Sequence, residues 1–301
     1  MNIALKSKTY WFHLLAILTV VVWGTTFVST KVLINSGFSP TEILIYRFLI
    51  AYIAIWFFCP KKFFAKTIKD ELLFIGAGLC GGSLYFAFEN TALGITLASN
   101  VSLIICTTPI FTAFLSRLVY RKETVNKNLI IGSIIAFIGI VFVVFNGRFV
   151  LQLNPLGDIL TLCAAVSWAF YGIILRRLNR NYSTLFITRK VFIYGILTII
   201  PYALYRTDTF HFALFEEPVV MANMLFLGIV ASLLCYIMWN SAVKSLGVVQ
   251  TSNYLYLVPL VTLITSVFVL DEQITMIAIL GSILILSGVY VSERGFVIVR
   301  K

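Results

Sequence analysis

Charged and histidine side chains are scarce in this sequence. Asp, Glu, Lys and Arg together make up 12% of its 301 residues, and the only histidines are His13 and His211. A soluble globular domain carries about twice that share of charged residues. The sequence also contains no HExxH zinc motif and no Walker phosphate-binding loop. It therefore predicts a protein that is not an enzyme and that holds no metal.

Cysteine pairs with CxxC spacing are also missing. All five cysteines lie in or beside apolar runs. They are Cys59, Cys80, Cys106, Cys163 and Cys235. Such cysteines are predicted to be free thiols that pack in apolar surroundings, and neither a disulfide framework nor a metal site is expected.

One glycine pattern, at residues 76–81, matches the GxGxxG fingerprint of dinucleotide-binding folds. It lies inside an apolar run and follows no strand, so the structural context that the fingerprint requires is missing. Its small residues, including Gly78 and Gly82 at a spacing of four, favour close packing between helices instead. No cofactor is predicted.

Apolar residues dominate the composition, at 60% of the chain. Several uninterrupted runs reach about 18 to 20 residues, the length that a helix needs to cross the bilayer core. There are ten such runs, at residues 12–33, 41–58, 72–93, 98–119, 128–146, 156–175, 185–205, 221–243, 248–270 and 275–292. The first run is too long for a signal peptide and lacks an obvious cleavage site, so it is expected to be a retained helix. The sequence predicts an all-α membrane protein with ten transmembrane helices.

Lys and Arg are distributed unequally between the two ends of these runs. If the N-terminus is cytoplasmic, nineteen of them lie on the cytoplasmic side, and only Lys31, Arg148 and Arg206 lie on the other side. Because cytoplasmic loops carry the excess of Lys and Arg, both termini are predicted to be cytoplasmic. The net charge of +11 is spread over these short clusters and forms no single patch, so no nucleic-acid partner is predicted.

Residues 85–112 recur, without a gap, 150 positions later as residues 235–262. The aligned pairs include Asn90 with Asn240 and Pro109 with Pro259. In both copies the Asn closes one apolar run, and the Pro interrupts the next run nineteen residues later. Matching broken helices in two halves of an apolar protein indicate a transport pathway.

The repeat also predicts how the two halves are oriented. Each half contains five spans, and five is an odd number, so the second half must enter the membrane upside down relative to the first. The predicted organisation is therefore two inverted five-helix repeats, residues 12–146 and residues 156–292.

Several short motifs follow one another in order. They are W-G-T-T-F from Trp23, Y-R-F from Tyr46, N-T-A-L from Asn90, and Pro109 inside the fourth run. With the doubled five-helix organisation over about residues 12–292, they resemble the EamA family of the drug/metabolite transporter superfamily. The resemblance implies a plasma (inner) membrane exporter or permease of amino acids, metabolites or drugs. Its partners would be a small organic solute and the lipid bilayer, and a homodimer is left open.

A proline inside a helix removes one N–H and displaces the carbonyl four residues earlier. For Pro109 and Pro259 the displaced carbonyls belong to Ile105 and Leu255. Two interpretations are open. The prolines are either matched hinges that line the pathway, with Thr107 and Thr108 supplying hydroxyls, or ordinary packing kinks, which are common in membrane helices.

Glu89 and Arg47 are charged residues inside predicted spans, where a charge is costly and indicates function by default. They lie at similar depths, roughly 6 Å and 9 Å from the ends of their helices at 1.5 Å per residue. They could form an ion pair with a structural role. Alternatively, Glu89 could bind an amino group or exchange a proton. Arg189 is the repeat equivalent of Arg47, and the family resemblance implies a scaffold role for Arg47.

Polar and aromatic side chains within the spans complete the predicted site. Asn90 and Asn240 are expected to cap their helices near turns, which favours hydrogen bonds between helices over the alternative that they line a cavity. Aromatic side chains supply the apolar walls that solute pockets use. The predicted solute-binding residues are Trp23, Thr26, Tyr85, Glu89, Trp168, Tyr171, Tyr236 and Tyr256. The predicted structural or hinge residues are Arg47, Asn90, Pro109, Asn240 and Pro259.

The function predicted from these features is secondary transport, with export of amino acids or related small metabolites or drugs by alternating access. Two alternatives come from other classes. An integral membrane enzyme would need clustered acid/base or metal ligands at one interface, and the sequence shows no such cluster. A solute-sensing membrane protein would need only one access route.

Overall fold

The computed structural model describes residues 3–59, 63–96, 98–120, 127–145, 154–206, 210–270 and 276–294. Within these ranges the chain forms ten helical segments. In chain order they are α1 (Ile3–Asn35), α2 (Pro40–Trp56), α3 (Ile68–Ile95), α4 (Ala98–Ile105 and Thr108–Val119), α5 (Lys127–Phe145), α6 (Pro155–Leu178), α7 (Thr184–Arg206), α8 (Pro218–Leu246), α9 (Val248–Ser252, Asn253–Leu257 and Val258–Leu270) and α10 (Met276–Arg294). Each segment overlaps one of the predicted apolar runs, and the number of membrane spans stays a prediction.

Several segments have the length and hydropathy of membrane spans. Those that meet both criteria are Tyr10–Asn35, Ile68–Ile95, Pro155–Leu178, Thr184–Tyr205 and Pro218–Leu246. Shorter apolar helices lie at Thr108–Val119, Lys127–Gly139 and Ile279–Ser292. No strand occurs among the described residues, so the predicted all-α class is confirmed. The chain is a multi-pass membrane protein. Asn146, the predicted end of the first repeat, and Arg148 lie outside the described residues.

The start of α2 shows how local sequence fixes the helices around the centre. The Ser39 hydroxyl accepts a hydrogen bond from the Glu42 N–H at 3.1 Å, and the Glu42 carboxylate accepts one from the Ser39 N–H at 2.9 Å. This capping box satisfies two N–H groups that a helix end leaves unpaired. Pro40 occupies the first turn, where its missing N–H costs nothing. The helix that carries Arg47 therefore begins at a defined residue.

Two of the helices widen into π-helical stretches. These are Leu79–Ser83 in α3 and Phe226–Leu234 in α8. The repeat shift of 150 residues places the first stretch on residues 229–233, inside the second. A π-helical stretch loosens the regular hydrogen-bond ladder, so its carbonyls are able to accept bonds from other donors. The sequence analysis did not predict these stretches, although both contain the glycine and serine residues at which helices distort.

The helices α4 and α9 are both interrupted shortly before a proline. The two pieces of α4 are separated by a turn at Cys106 and Thr107, two residues before Pro109. In α9 the short 3₁₀ turn Asn253–Leu257 precedes Pro259. Because proline cannot donate the backbone bond and crowds the preceding turn, each helix changes geometry at that point.

Contacts between helices are exchanged between the two halves. Helix α1 packs against the C-terminal part of α8 and against α9, while α6 packs against the C-terminal part of α3 and against α4. Since α6, α8 and α9 are the repeat equivalents of α1, α3 and α4, each contact recurs with the roles of the two halves reversed.

The repeat-equivalent helices α5 and α10 contact each other through glycines, and these contacts also recur with the roles of the two halves reversed. A Cβ added to Gly132 would lie 2.5 Å from the Gly288 carbonyl oxygen, and one added to Gly139 would lie 2.6 Å from that of Gly281. In the repeat, Gly132 aligns with Gly281 and Gly139 with Gly288, at a shift of 149 residues. Only glycine permits so close an approach of two backbones. These equivalent helices therefore run antiparallel, and each contact occurs twice.

Candidate functional site

A small cavity lies where the two halves meet. Its volume is about 30 Å³, and it is lined by Trp23, Thr26, Phe27, Arg47, Tyr85, Phe86, Glu89, Ile105, Thr108, Trp168, Leu255 and Val258. These side chains come from α1, α2, α3, α4, α6 and α9. The space suits one or two water molecules and is far below the roughly 300–1,000 Å³ of a pocket that holds an organic ligand. The conformation is therefore closed around this point.

Aromatic rings from both halves form one wall of the cavity. The rings of Trp23 and Trp168 meet edge to face, with centroids 5.2 Å apart and an interplanar angle of 87°. Tyr85 lies 4.8 Å from Trp168, and Trp239 lies 5.0 Å from Trp23, both between ring centroids. Edge-to-face and tilted rings place hydrogens against π faces, which favours the pairs beyond simple burial. The two tryptophans that were predicted to bind the solute, Trp23 and Trp168, therefore come together.

The π-helical stretches hold the aromatic residues in place. The indole Nε1–H of Trp23 donates to the carbonyl oxygen of Ala231 at 3.0 Å, and the hydroxyl of Tyr236 donates to that of Gly81. Gly81 and Ala231 are equivalent in the repeat, and each lies inside a π-helical stretch. Each half therefore supplies an aromatic donor to a loosened carbonyl of the other half.

Two buried charged residues, Arg47 and Glu89, face the cavity. The Nε–H of Arg47 donates to the Ser232 hydroxyl at 2.9 Å, and its guanidinium lies 4.2 Å from the centre of the Phe86 ring. The carboxylate of Glu89 accepts a hydrogen bond from the Tyr85 hydroxyl at 3.0 Å. Within the described residues the two charges form no direct salt bridge, although they line the same space. Each has its own neutral hydrogen-bond partner.

The two helix breaks lie at the edge of the cavity. The Thr108 hydroxyl donates to the Ile105 carbonyl at 2.6 Å, and the Cys106 thiol donates to the Leu255 carbonyl at 3.2 Å. These are the two carbonyls that the prolines were predicted to leave without partners. Ile105, Thr108 and Leu255 also line the cavity. Cys106, predicted to be only a packing residue, is thus also a hydrogen-bond donor.

Five of the eight predicted solute-binding residues line the cavity: Trp23, Thr26, Tyr85, Glu89 and Trp168. The other three are buried outside the lining: Tyr171, Tyr236 and Tyr256. Among the predicted structural residues, Arg47 alone belongs to the lining. The lining residues that the sequence analysis missed include Phe86 and Val258. Both adjoin motifs that were noticed, since Phe86 follows Tyr85 and Val258 precedes Pro259.

The prediction that Asn90 and Asn240 cap their helices is wrong. Helix α3 ends at Ile95 and α8 at Leu246, several residues later. The Asn90 amide donates to the Pro40 carbonyl at 3.1 Å. Asn240 accepts from the Tyr171 hydroxyl at 2.7 Å and donates to the Thr188 hydroxyl at 2.9 Å. Hydrogen bonds between helices, the favoured alternative, describe both side chains.

A family model matches the chain twice. It is described as the EamA-like transporter family, and it covers residues 10–145 and 155–293. A protein named "Uncharacterized transporter" from Archaeoglobus fulgidus is 30% identical over 293 residues, which is 96% of this chain and 98% of that protein. A protein of Escherichia coli (strain K12) named "Probable amino-acid metabolite efflux pump" is 27% identical over 292 residues, 93% of this chain and 94% of that protein.

A solved crystal structure supports the fold independently of close sequence similarity. It superposes with a TM-score of 0.72 at 17% identity, and it covers 93% of this chain and 96% of the other. At this level of identity the likeness concerns the arrangement of the helices alone.

Proposed function

The chain belongs to the EamA-like transporter family, and hence to the drug/metabolite transporter superfamily. From that premise we propose that it is a secondary transporter that exports amino acids or related small metabolites or drugs by alternating access. The observation that carries the proposal is the cavity between the two halves. It brings one buried cation, one buried carboxylate and an aromatic wall to the place where both broken helices meet.

The chemistry of this cavity favours a zwitterionic solute. Arg47 is 2% exposed and Glu89 is 6% exposed, and a charge buried in a membrane is costly unless it has a function or a partner. A solute carboxylate would approach the guanidinium of Arg47, and a solute ammonium group would approach Glu89. The rings of Trp23 and Trp168 would cover an apolar side chain, in the manner of pockets with apolar walls and few polar groups.

The proposed mechanism follows from the repeat. Ten spans would form two inverted five-helix halves, residues 12–146 and 156–292, and the exchanged contacts of α1, α5, α6 and α10 support this arrangement. A cavity of about 30 Å³ would have to widen to admit a solute. Rocking of the halves, with the backbone bending at Pro109 and Pro259, would open it to one side of the membrane at a time. In this mechanism four buried residues hold the helices around the cavity without contacting the solute: Tyr171, Tyr236, Asn90 and Asn240.

The expected location is the plasma (inner) membrane, with both termini in the cytoplasm. This orientation is testable with exposed residues at opposite ends of the helices, Lys69 and Glu216. A membrane-impermeant maleimide should label Glu216→Cys in intact cells and Lys69→Cys only after permeabilisation. Labelling of both variants in intact cells would contradict the proposed orientation.

Solute counterflow in proteoliposomes tests the function directly. The purified protein is reconstituted with an unlabelled amino acid inside, and uptake of the same labelled amino acid is followed. The amino acid comes from a growth-resistance screen of overexpressing cells against toxic amino acids, analogues and drugs. A transporter accelerates exchange, whereas a membrane enzyme or a sensor does not. Exchange no faster than in protein-free vesicles, for every solute that the screen selects, would overturn the proposal.

A further inference from the structure

A second concavity lies between α4, α5 and α9, on the face of the bundle away from the central cavity. Its volume is about 270 Å³. Its lining includes Pro109, Ala113, Ile130, Ser133, Ile134 and Asn253. Ile130 and Ile134 are 50% and 55% exposed, so this face meets lipid in a membrane. We call this concavity the α4/α5/α9 groove.

One polar side chain in the groove has a hydrogen-bond donor without a partner. Asn253 is 1% exposed, and its Nδ2 finds no acceptor within the described part of the chain. A buried amide donor without an acceptor costs about 1–3 kcal/mol. Asn253 lines the groove, so an occupant of the groove is placed to supply the acceptor that the described residues lack.

The depth of Asn253 indicates what that acceptor is. The residue lies five positions after Val248, where α9 begins, which is roughly 8 Å along the helix. With the start of α9 at the membrane surface, that depth would correspond to the boundary between lipid headgroups and acyl chains. The ester carbonyls of phospholipids lie there, and they accept hydrogen bonds but donate none.

Basic residues flank the same end of the groove. Arg117 lies one turn beyond Ala113 in α4, and Lys127 lies about one turn before Ile130 in α5. Both side chains are exposed. Lys and Arg beside a membrane attract anionic lipid headgroups by about 1 kcal/mol each. The charge therefore complements a phosphate that is attached to the chain in the groove.

We propose that the α4/α5/α9 groove binds an anionic phospholipid. One acyl chain lies along the apolar side chains of α4 and α5. An ester carbonyl accepts the free N–H of Asn253, and the headgroup phosphate lies near Arg117 and Lys127. The groove shares no lining residue with the central cavity, and lipid retention is measured without transport, so the proposal stands or falls independently of the proposed function.

Native mass spectrometry of the purified protein tests the proposal, with phosphatidylglycerol and phosphatidylcholine as probes. Wild-type protein should retain phosphatidylglycerol in preference. Asn253→Leu removes the hydrogen-bond donor and keeps a side chain of similar volume. Retention of phosphatidylglycerol should then fall roughly fivefold, which corresponds to the loss of one hydrogen bond as strong as those between membrane helices. Asn223→Leu is the matched control, because the Asn223 amide already donates to Val219 at 2.8 Å within α8.

A second variant tests the shape of the groove without removing a polar group. Ala113→Phe fills the groove and should abolish retention of either lipid, whereas Ala222→Phe, at an exposed position of α8, should not. Arg117→Gln with Lys127→Gln should remove the preference for phosphatidylglycerol over phosphatidylcholine. If retention is unchanged in both Asn253→Leu and Ala113→Phe, the groove is not a lipid site and the proposal fails.

Discussion

The thiol of Cys106 donates a hydrogen bond to the carbonyl oxygen of Leu255, 3.2 Å away, and so joins the break in α4 to the break in α9. Leu255 lies four residues before Pro259, so the N–H that would normally bond this carbonyl does not exist. The N–H of Val258 donates to this carbonyl instead, in the tighter geometry of the 3₁₀ turn. The thiol of Cys106, in the first half, is a second donor, and it joins the two breaks in the closed conformation.

Replacing Cys106 by Ala should lower the free energy of unfolding by more than the same replacement does at a buried cysteine without a hydrogen bond. The Leu255 carbonyl would keep the N–H of Val258 but lose its bond to the other helix, and a hydrogen bond between membrane helices is worth on the order of 1 kcal/mol. Cys106→Ser keeps a donor and should retain most of the stability. The measurement is denaturant unfolding in mixed micelles. Cys235→Ala is the control, since Cys235 is equally buried and its thiol has no hydrogen bond within the described ranges. Equal losses for the two Ala variants would contradict the role of the thiol.

Trp23 and Trp168 should respond differently to replacement by Phe. The indole N–H of Trp23 bonds to the Ala231 carbonyl in the π-helical stretch of α8, whereas Trp168 contributes ring contacts. Trp23→Phe should therefore lower the free energy of unfolding by about 1 kcal/mol more than Trp168→Phe. The measurement is again denaturant unfolding. The same loss in both variants would show that the indole N–H of Trp23 is not a significant anchor.

Both tryptophans should matter for transport when the whole ring is removed. Trp23→Ala and Trp168→Ala are expected to insert normally but to reduce counterflow, because each removes an aromatic wall of the cavity. Membrane yield and elution in gel filtration report insertion and folding. Unchanged flux in both variants would exclude these two rings from the solute site.

The positions of the helices could be predicted from the sequence, because membrane helices are marked by long apolar runs. The prolines of α4 and α9 also marked the breaks, because a missing N–H has the same effect in any helix. Trp23 and Trp168 were both predicted to bind the solute, and both line the cavity. These are consequences of composition and spacing alone.

The choice of hydrogen-bond partners could not be predicted in this way. Arg47 and Glu89 have matching depths, yet each bonds to a neutral neighbour, Ser232 or Tyr85. Tyr85 and Tyr236 have similar sequence contexts, yet Tyr85 lines the cavity and Tyr236 does not. Helix rotation and the π-helical stretches decide these outcomes, and a rotation of a few tens of degrees leaves the hydropathy pattern unchanged.

Gly288 should tolerate no side chain. A Cβ there would lie 2.4 Å from the Ala136 nitrogen and 2.5 Å from the Gly132 carbonyl oxygen, and backbone atoms cannot move aside without separating α5 from α10. Gly288→Ala should therefore cost about 1–3 kcal/mol of stability, as overpacking of a close contact does. The thermal midpoint of the purified protein in detergent reports the change.

The matched control for this variant is Gly94→Ala, in the last turn of α3. No atom lies within 4 Å of a Cβ at that position, and Ala is a better helix former than Gly by about 1 kcal/mol. The control should be neutral or slightly stabilising. A Gly288→Ala protein as stable as the control would show that α5 and α10 are not in close backbone contact.

Glu89→Gln separates two roles of the buried carboxylate. The glutamine side-chain oxygen still accepts the bond from the Tyr85 hydroxyl, so folding should be preserved, but the negative charge is gone. If Glu89 receives the ammonium group of the solute, counterflow and gradient-driven uptake should both fall at least tenfold, which equals about 1.4 kcal/mol of lost binding. Both rates are measured in proteoliposomes, at zero proton gradient and with an imposed one.

Glu216→Gln is the control for this experiment, because Glu216 is exposed in the 3₁₀ turn before α8 and should not alter either rate. If Glu89→Gln abolishes gradient-driven uptake but leaves counterflow intact, the carboxylate carries the coupling proton and does not bind the solute. If neither rate changes, Glu89 has only a structural role. In that case recognition of an ammonium group at this cavity would be excluded, and Arg47 with the aromatic wall would have to account for solute binding.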